Sequence, residues 1–186
     1  QLKYGVYNNF GMDKDKLEDL IMFTSSKDGS YKTLAEYVKD MKEGQKEIYY
    51  ACGESVAKID LLPQVEAVKD KGYEILYCTE YVDEFTIMTL RKYKDFEFKN
   101  VCNDSIDLDT KEEKEELAKK NDDAKDMFKT MAEAVSEVKS IRFTNKLKNH
   151  PVCLSSDGEI SVEMEKAMNA MPFDNDVKAS KVLEIN

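Results

Sequence analysis

The alternation of apolar and polar residues is clearest in one stretch, residues 45–55 (QKEIYYACGES). An apolar and aromatic run over residues 48–52 follows charged residues and ends at Gly53, which is typical of a buried strand. Ser55 comes directly before a new apolar period, in the position of a helix N-cap. We therefore predict a strand, a tight turn and a helix, which form the first half of a βαβ unit.

The next segments continue this alternation of strands and helices. The helix after Ser55 is expected to break or restart at Pro63, which lacks the N–H that the helical ladder needs, and to end at Gly72. A strand, a helix and a weaker strand are then predicted over residues 73–79, 83–90 and 96–102. Strands that alternate with helices through short links predict an α/β fold, in which a small parallel sheet has flanking helices.

The pattern before the central stretch is less regular. Residues 1–11 show no clear period, residues 13–22 favour a short helix, and residues 25–30 (SSKDGS) have the composition of a loop. Thr33 and Glu36 have the spacing of a capping box, in which the hydroxyl caps the first helical turn and the carboxylate reaches back to the cap residue. A helix with one apolar face is predicted to start there.

The composition changes at about Asp107, and we place a domain boundary there. The first domain is predicted to span residues 1–108 and the second residues 109–186. Lysine, glutamate and aspartate dominate residues 109–126, yet apolar residues recur every three or four positions as far as Val138. This pattern predicts one long amphipathic helix whose charged residues form its solvent-exposed face.

The second domain is predicted to be a truncated α+β structure that follows the long helix. Strands are predicted over residues 141–144, 152–154 and 182–185. A helix between the second and third of these strands is expected to end at Pro172. Because the sequence ends inside the last strand, we expect this domain to be cut short in the present chain.

Composition and charge exclude several classes of function. The chain has 186 residues, of which 41% are hydrophobic, and it can therefore bury a core. A formal net charge of −10 argues against a surface for nucleic acid or for an anionic membrane, because phosphate groups are bound by basic faces. No apolar run approaches the roughly 20 residues that span a bilayer. The first residue is Gln1 and not Met, which favours an excised piece of a longer protein.

The four cysteines are spread along the chain and include no CxxC pair. They are Cys52, Cys78, Cys102 and Cys153. The ligand spacing of a structural zinc site is therefore absent. The first three lie near the ends of the three strands predicted for the first domain, so we expect free, buried thiols in a reducing cytosol.

Ser55 also raises the possibility of a hydrolase. The sequence GESVA at a strand-to-helix turn is similar to the G-x-S-x-G nucleophile elbow, and Asp83 and His150 would follow in the chain order of a catalytic triad. However, Ala57 replaces the second glycine, and His150, the only histidine, lies beyond the predicted domain boundary. An N-cap is the simpler role for Ser55, and a surface turn is the simpler place for His150.

Acidic residues follow the predicted strand ends, where α/β sheets often bind ligands. These residues are Glu54, Glu80, Asp83 and Glu84. Such a cluster could hold Mg²⁺, but neither a GK[ST] motif nor a glycine-rich phosphate loop accompanies it. Carboxylates that stabilise the N-terminal ends of helices are the simpler interpretation.

The last predicted helix carries a stripe of methionines, Met164, Met168 and Met171, at spacings of four and three residues. A stripe with this spacing is usually part of a core. The other face of the helix is polar, and methionine suits surfaces that accept many partners. Both interpretations stay open here: a buried core face, or a surface that contacts another protein.

Several motifs follow one another in a specific order. They occupy residues 34–55, with the sequences IYY and GES, residues 71–77 (KGYEILY) and residues 82–85 (VDEF). Together they resemble the heat-shock protein 90 chaperone family, and in particular its bacterial members. The resemblance continues through residues 138–147, 161–170 and 183–186, and so covers essentially the whole chain.

This resemblance implies a fragment that holds the distal α/β part of the middle domain and the opening of the C-terminal domain. In the family, the ATP pocket lies in an N-terminal domain, and the position of the catalytic arginine is upstream of Gln1. The resemblance therefore implies that the fragment uses neither ATP nor Mg²⁺. It is also not expected to be an enzyme. Full-length relatives are homodimeric, ATP-dependent cytoplasmic chaperones of the stress response, which bind and remodel non-native client proteins. The segments that form the dimer would follow Asn186.

The resemblance also bears on the methionine stripe. In the family, the helix that matches residues 161–171 projects towards the client cleft, so Met164, Met168 and Met171 become candidate client-binding residues. Many relatives have a tryptophan just before this helix, and this chain has none. The sequence leaves two alternatives to a chaperone fragment that binds clients. One is a small α/β serine hydrolase that uses Ser55, and the other is a purely structural spacer in which the methionines are buried.

Overall fold

The computed structural model describes residues 1–103, 109–135, 137–171 and 177–186, which form two compact units. The first unit comprises residues 1–101 and the second residues 102–186. Asn103 forms a β-bridge with Ser156, and the Ser156 N–H donates to the carbonyl of Cys102 at 3.2 Å. These contacts join residues 102 and 103 to the second unit, and the domain boundary expected after residue 108 stays a prediction.

The first unit, which is described throughout, is built on a six-stranded sheet. Its strands are β1 (Met22–Ser25), β2 (Tyr31–Thr33), β3 (Glu47–Cys52), β4 (Leu76–Cys78), β5 (Lys92–Tyr93) and β6 (Phe96–Asn100), in the order β2-β1-β4-β3-β6-β5. The three predicted strands are β3, β4 and β6, and β3 pairs in parallel with both of the others, which confirms the α/β fold. Antiparallel pairs add β1, β2 and β5, which the sequence pattern did not predict.

The helices of the first unit follow local rules closely. They are α1 (Leu2–Asn8), α2 (Lys14–Leu17), α3 (Leu34–Lys39), α4 (Val56–Asp60), α5 (Pro63–Asp70) and α6 (Tyr81–Leu90), with a 3₁₀ turn at Glu18–Leu20. Thr33 and Glu36 make the predicted capping box, and Pro63 opens a new helix in the first position. The prediction that the helix breaks and restarts at Pro63 is therefore confirmed.

Near the start of the chain, one helix was not predicted and one prediction was wrong. Residues 1–11 contain α1, although they show no clear period, and the helix expected over residues 13–22 ends at Leu20. The chain then becomes extended and forms β1. Ile21 and Phe23 are each only 1% exposed, while Met22 between them is 48% exposed. This alternation of buried and exposed side chains belongs to a strand and was mistaken for the end of a helix.

The core of the first unit forms where one face of the sheet meets helices α1, α3 and α6. Its buried members are Val6, Ile21, Phe23, Leu34, Tyr37, Ile48, Tyr50, Cys52, Leu76, Cys78, Ile87, Leu90 and Tyr93. The contributions from β3 and β4 are alternate residues, as the pleat of a strand requires. The central stretch therefore supplies the middle of the core.

The turn after β3 leaves no room for a side chain at Gly53. A Cβ atom at this position would lie 2.8 Å from Cγ1 of Ile59, which is fully buried. We expect Gly53→Ala to lower the free energy of unfolding by about 1–2 kcal/mol, because the branched Ile59 side chain or the turn must shift. Urea unfolding followed by tyrosine fluorescence measures the change.

Gly5→Ala is the matched control for this substitution. Gly5 lies in α1, and the closest neighbour of its added Cβ would be Cδ1 of Leu17 at 3.4 Å, which is an ordinary contact. Removing a helical glycine is expected to stabilise the chain by about 0.5 kcal/mol. Equal effects of the two substitutions would contradict the steric argument at Gly53.

The second unit contains a three-stranded sheet among its described residues. The strands are β7 (Ser140–Phe143), β8 (Val152–Ser156) and β9 (Lys181–Ile185), in the order β7-β9-β8. β9 runs parallel to β7 and antiparallel to β8. The helices are α7 (Lys111–Asp123), α8 (Lys125–Ala134) and α9 (Val162–Asn169). The three predicted strands are confirmed, and Pro172 lies outside the described residues.

The prediction of one long helix in the second unit was wrong, because the helix breaks at Ala124. This residue leaves helical geometry, with ψ at 4°. Asn121 of α7 accepts a hydrogen bond from the Phe143 N–H at 2.7 Å, and the ring of Phe128 in α8 meets the ring of Phe143 edge-on at 5.1 Å. Both helices are thus attached to the same strand residue, and neither glycine nor proline marks the break.

A buried carboxylate connects the strands of the second unit. Glu184 of β9 has no exposed surface, and it accepts hydrogen bonds from Arg142 Nη2 at 2.7 Å and from the Ser155 hydroxyl. Lys146 Nζ lies 3.5 Å from the same carboxylate. Two cations and a hydroxyl therefore replace the water that Glu184 loses on folding.

Candidate functional site

The methionine-bearing helix α9 is held firmly at both ends. The Ser161 hydroxyl caps its first turn by accepting from the Met164 N–H at 3.0 Å. At the other end, the Asn169 side chain donates to the Val177 carbonyl at 2.9 Å and accepts from the Val177 N–H at 3.2 Å. The position of the helix in the second unit is thus set by hydrogen bonds that are independent of its apolar face.

Glu165 fastens the middle of α9 to the segment before β9. Its carboxylate accepts from the Ala179 N–H at 2.7 Å and pairs with Lys181 Nζ at 2.9 Å. The backbone hydrogen bond from Ala179 and the bond from Lys181 lower the pKa of the Glu165 carboxyl. Glu165 therefore stays charged near neutral pH and keeps this attachment.

The structure separates the three methionines by burial. Met164 is 3% exposed and lies with Ala167 in the core of the unit, whereas Met168 is half-buried and Met171 is 37% exposed. The stripe rotates from the core to the surface along the helix and its C-terminal end. The core interpretation thus applies to Met164, and the surface interpretation is open only for Met168 and Met171.

This unit has a second apolar surface, which the sequence pattern did not indicate. On β8, Val152 is 48% exposed and Leu154 is 47% exposed, while Cys153 and Ser155 between and beside them are buried. Leu154 pairs in register with Leu183 of β9, so both lie on the same face of the sheet. The alternation of residue types over residues 152–155 (VCLS) indicates that the strand has two different faces. It does not show which of the two faces is exposed to solvent.

The structure gives Ser55 a structural role. Its hydroxyl accepts from the Lys58 N–H at 3.3 Å as the cap of α4. Asp83 accepts from Lys3 Nζ at 2.6 Å and from the N–H groups of Thr79 and Glu80. His150 is exposed in a loop of the second unit. The hydrolase alternative therefore has no support from the contacts of these residues.

The acidic residues after the strand ends are engaged separately. Glu54 pairs with Lys58, Glu80 and Asp83 form a capping box at the start of α6, and Glu84 accepts from the Asn100 side chain at 3.1 Å. In the part of the chain that the structure describes, no group of three or more histidine, cysteine, aspartate or glutamate side chains is arranged to hold a metal ion. These carboxylates act as helix-start and pairing groups.

The cysteines are all free thiols, as expected. Cys52, Cys78 and Cys153 are buried, and Cys102 is half-buried. Burial raises the pKa of the Cys78 thiol, and burial with the nearby Glu184 charge raises that of Cys153 to about 12. Both thiols are therefore protonated at neutral pH.

Among the described helices, none combines the length and the apolar composition needed to cross a membrane.

Comparison with known proteins now decides the family. A family model described as Hsp90 protein matches residues 1–186, the entire chain. The chain belongs to the heat-shock protein 90 family. Its Hsp90 relatives include the chaperone protein HtpG of Clostridium acetobutylicum, at 56% identity, and those of Clostridium perfringens and Bacillus velezensis, at 54% and 51%.

These matches cover all of this Hsp90 chain but only part of the relatives. The chain spans 30% of the length of each of the three HtpG proteins. Among solved structures, the middle domain of a Plasmodium falciparum heat shock protein is similar, with a TM-score of 0.50 and 33% sequence identity. That similarity covers 54% of this chain and 42% of the other.

Proposed function

We propose that this chain is the distal part of an Hsp90 middle domain followed by the start of the C-terminal domain. The first unit has 101 of the 186 residues, about the 54% share that the solved middle domain covers. In this proposal, the first unit is a scaffold within a cytoplasmic, ATP-dependent chaperone. The second unit carries the residues that contact non-native client proteins.

The proposal assigns the chemistry of the ATP cycle to other parts of the full-length protein. ATP and Mg²⁺ would be bound outside this chain, and homodimerisation would use segments after Asn186. Purified alone, the chain is expected to hydrolyse ATP no faster than a blank in a coupled phosphate assay. Nucleic acid and membranes are not proposed as partners, since a net charge of −10 repels anionic surfaces.

We place the client contact at the exposed end of the methionine stripe. The observation that supports it is the gradient of exposure from Met164 in α9, at 3%, to Met171 just past the end of α9, at 37%. Hydrogen bonds of Ser161, Glu165 and Asn169 hold α9 in place. Flexible thioether side chains on a fixed frame suit apolar segments of many shapes. Met164 supports this surface from inside and does not touch the client.

The test compares the parent chain with Met168→Ser/Met171→Ser. Covering the remaining exposed part of the two side chains contributes about 1 kcal/mol, so we expect the double variant to weaken client binding by about fivefold. The measurement is the fluorescence anisotropy of a labelled, chemically unfolded client, with circular dichroism to show that both proteins are folded. Met164→Ser is avoided, because a polar group in the core would unfold the unit.

Val152→Thr/Leu154→Thr is the matched control. It removes exposed apolar surface from β8 in the same unit, and it places at both positions threonine, a β-branched residue that strands favour. The control is expected to bind the client as the parent does. An equal loss in both variants would show non-specific apolar contact, and no loss in the folded methionine variant would contradict the proposed site.

A further inference from the structure

Two cysteines meet at the centre of the first unit. Cys52 is the last residue of β3 and Cys78 is the last residue of β4, and the two are register partners in adjacent parallel strands. Partners in neighbouring strands direct their side chains to the same face of the sheet. Both thiols enter the same buried core cluster, where burial raises the pKa of Cys78 and the neighbouring Cys52 thiol acts to lower it.

The spacing of the strands suits a covalent bond between these thiols. Neighbouring strands lie about 4.8 Å apart, and disulfides join residues whose Cα atoms are about 4.4–6.8 Å apart. The two side chains can therefore be linked by rotation about their Cα–Cβ bonds while the strands keep their register. The other two thiols, Cys102 and Cys153, are not matched by register among the described residues, since the bridge beside Cys102 pairs Asn103 with Ser156.

We propose that Cys52 and Cys78 form a redox modification site, in which a reversible disulfide links β3 to β4. The co-reactant is a low-molecular-weight disulfide such as glutathione disulfide. The Cys52 thiolate attacks one glutathione sulfur and expels a glutathione thiolate. The Cys78 thiolate then attacks the Cys52 sulfur and expels the second glutathione. Two protein thiols are oxidised, one glutathione disulfide is reduced to two glutathione thiols, and the protons of Cys52 and Cys78 end on them.

Burial slows the oxidation of the pair. Cys52 is 7% exposed and Cys78 is 2% exposed, and burial raises the pKa of the Cys78 thiol, so little thiolate is present at neutral pH. Reaction requires the ends of the strands to open locally. The link therefore forms slowly, and once formed it holds together the strands at the centre of the sheet. This role is independent of client binding.

The experiment measures the pairing at equilibrium, so that slow access to the buried thiols does not matter. The 186-residue chain with Cys102→Ala/Cys153→Ala retains only the proposed pair. It is refolded from urea in buffers of glutathione and glutathione disulfide, and a second sample is held in concentrated urea in the same buffers. Acid quenching, alkylation and mass spectrometry give the ratio of disulfide to dithiol in each.

We expect the ratio of disulfide to dithiol to be at least about tenfold higher in the folded chain than in the unfolded chain, because the fold holds the two sulfurs together. The oxidised form should also have a higher urea midpoint. A ratio that is equal or lower in the folded chain, or a midpoint that falls on oxidation, would overturn the proposal. The parent chain provides a second route, since mapping of its non-reduced peptides must show Cys52 linked to Cys78 and not to Cys102 or Cys153.

Discussion

Replacement of Glu184 by glutamine is expected to lower the free energy of unfolding of the second unit by about 3 kcal/mol. The carboxylate has no exposed surface and lies among Arg142, Lys146 and the Ser155 hydroxyl. A neutral amide cannot balance the two cations, of which Lys146 is only 10% exposed in its side chain. Urea unfolding followed by circular dichroism, together with hydrogen exchange of the β7 to β9 peptides, measures the loss.

Glu163→Gln is the control for the loss of one carboxylate charge in the same unit. Glu163 pairs with Lys166 one helical turn away, and that lysine side chain is 57% exposed. Surface pairs of this type contribute about 0.5 kcal/mol or less. All ten tyrosines lie in the first unit, so tyrosine fluorescence serves as an internal reference. A loss at Glu184 no larger than that at Glu163 would contradict the argument.

The Glu184 effect should also depend on pH. Burial acts to raise the pKa of this carboxyl, but the charge of Lys146 and the hydrogen bonds from Ser155 and Arg142 outweigh it and hold the pKa below the usual 4.5. A carboxyl with a lowered pKa contributes its full stability above the unfolded value and loses it as pH falls through the folded value. The difference between the parent and Glu184→Gln should therefore be constant near neutral pH and shrink below about pH 4.5.

Replacement of Tyr37 by phenylalanine is expected to cost about 2–3 kcal/mol in the first unit. The side chain is 1% exposed. Its hydroxyl donates to the Glu74 carbonyl at 2.7 Å and accepts from Gln45 Nε2 and from the Tyr49 N–H, each at 3.1 Å. Loss of one oxygen therefore removes three hydrogen bonds that join α3, β3 and the segment before β4. The urea midpoint from the fluorescence of the nine remaining tyrosines measures the change.

Tyr31→Phe is the control, because it removes the same atom from a side chain that is 74% exposed. Substitutions at such surface positions usually change stability by less than about 0.5 kcal/mol. If the two variants had equal midpoints, the three hydrogen bonds of Tyr37 would contribute no more than contacts with water. A shift confined to Tyr37→Phe supports the hydroxyl as a connection between elements.

Local patterns were enough to predict the centre of the first unit. The strand β3, the cap at Ser55 and the new helix at Pro63 depend on neighbours within four residues, and the structure contains all three. The strands of the second unit were predicted for the same reason. The motifs around IYY and GES indicated the Hsp90 family, which the match over residues 1–186 then showed.

Long-range contacts decided the parts that were wrong or missed. Met22 stands at the end of an apparent helical period, but β1 forms there because it can pair with both β2 and β4. The break at Ala124 arises because Asn121 and Phe128 are both held by Phe143, which lies far along the chain. No window of local sequence contains these partners.

The candidate site shows the same division. The sequence by itself determined the helix α9 and its apolar and polar faces, since spacing along a helix sets which side chains share a face. Only the tertiary structure decided that Met164 is in the core while Met171 reaches the surface, and that Cys52 lies beside Cys78. Burial and register depend on which elements pack together, and that is a property of the whole fold.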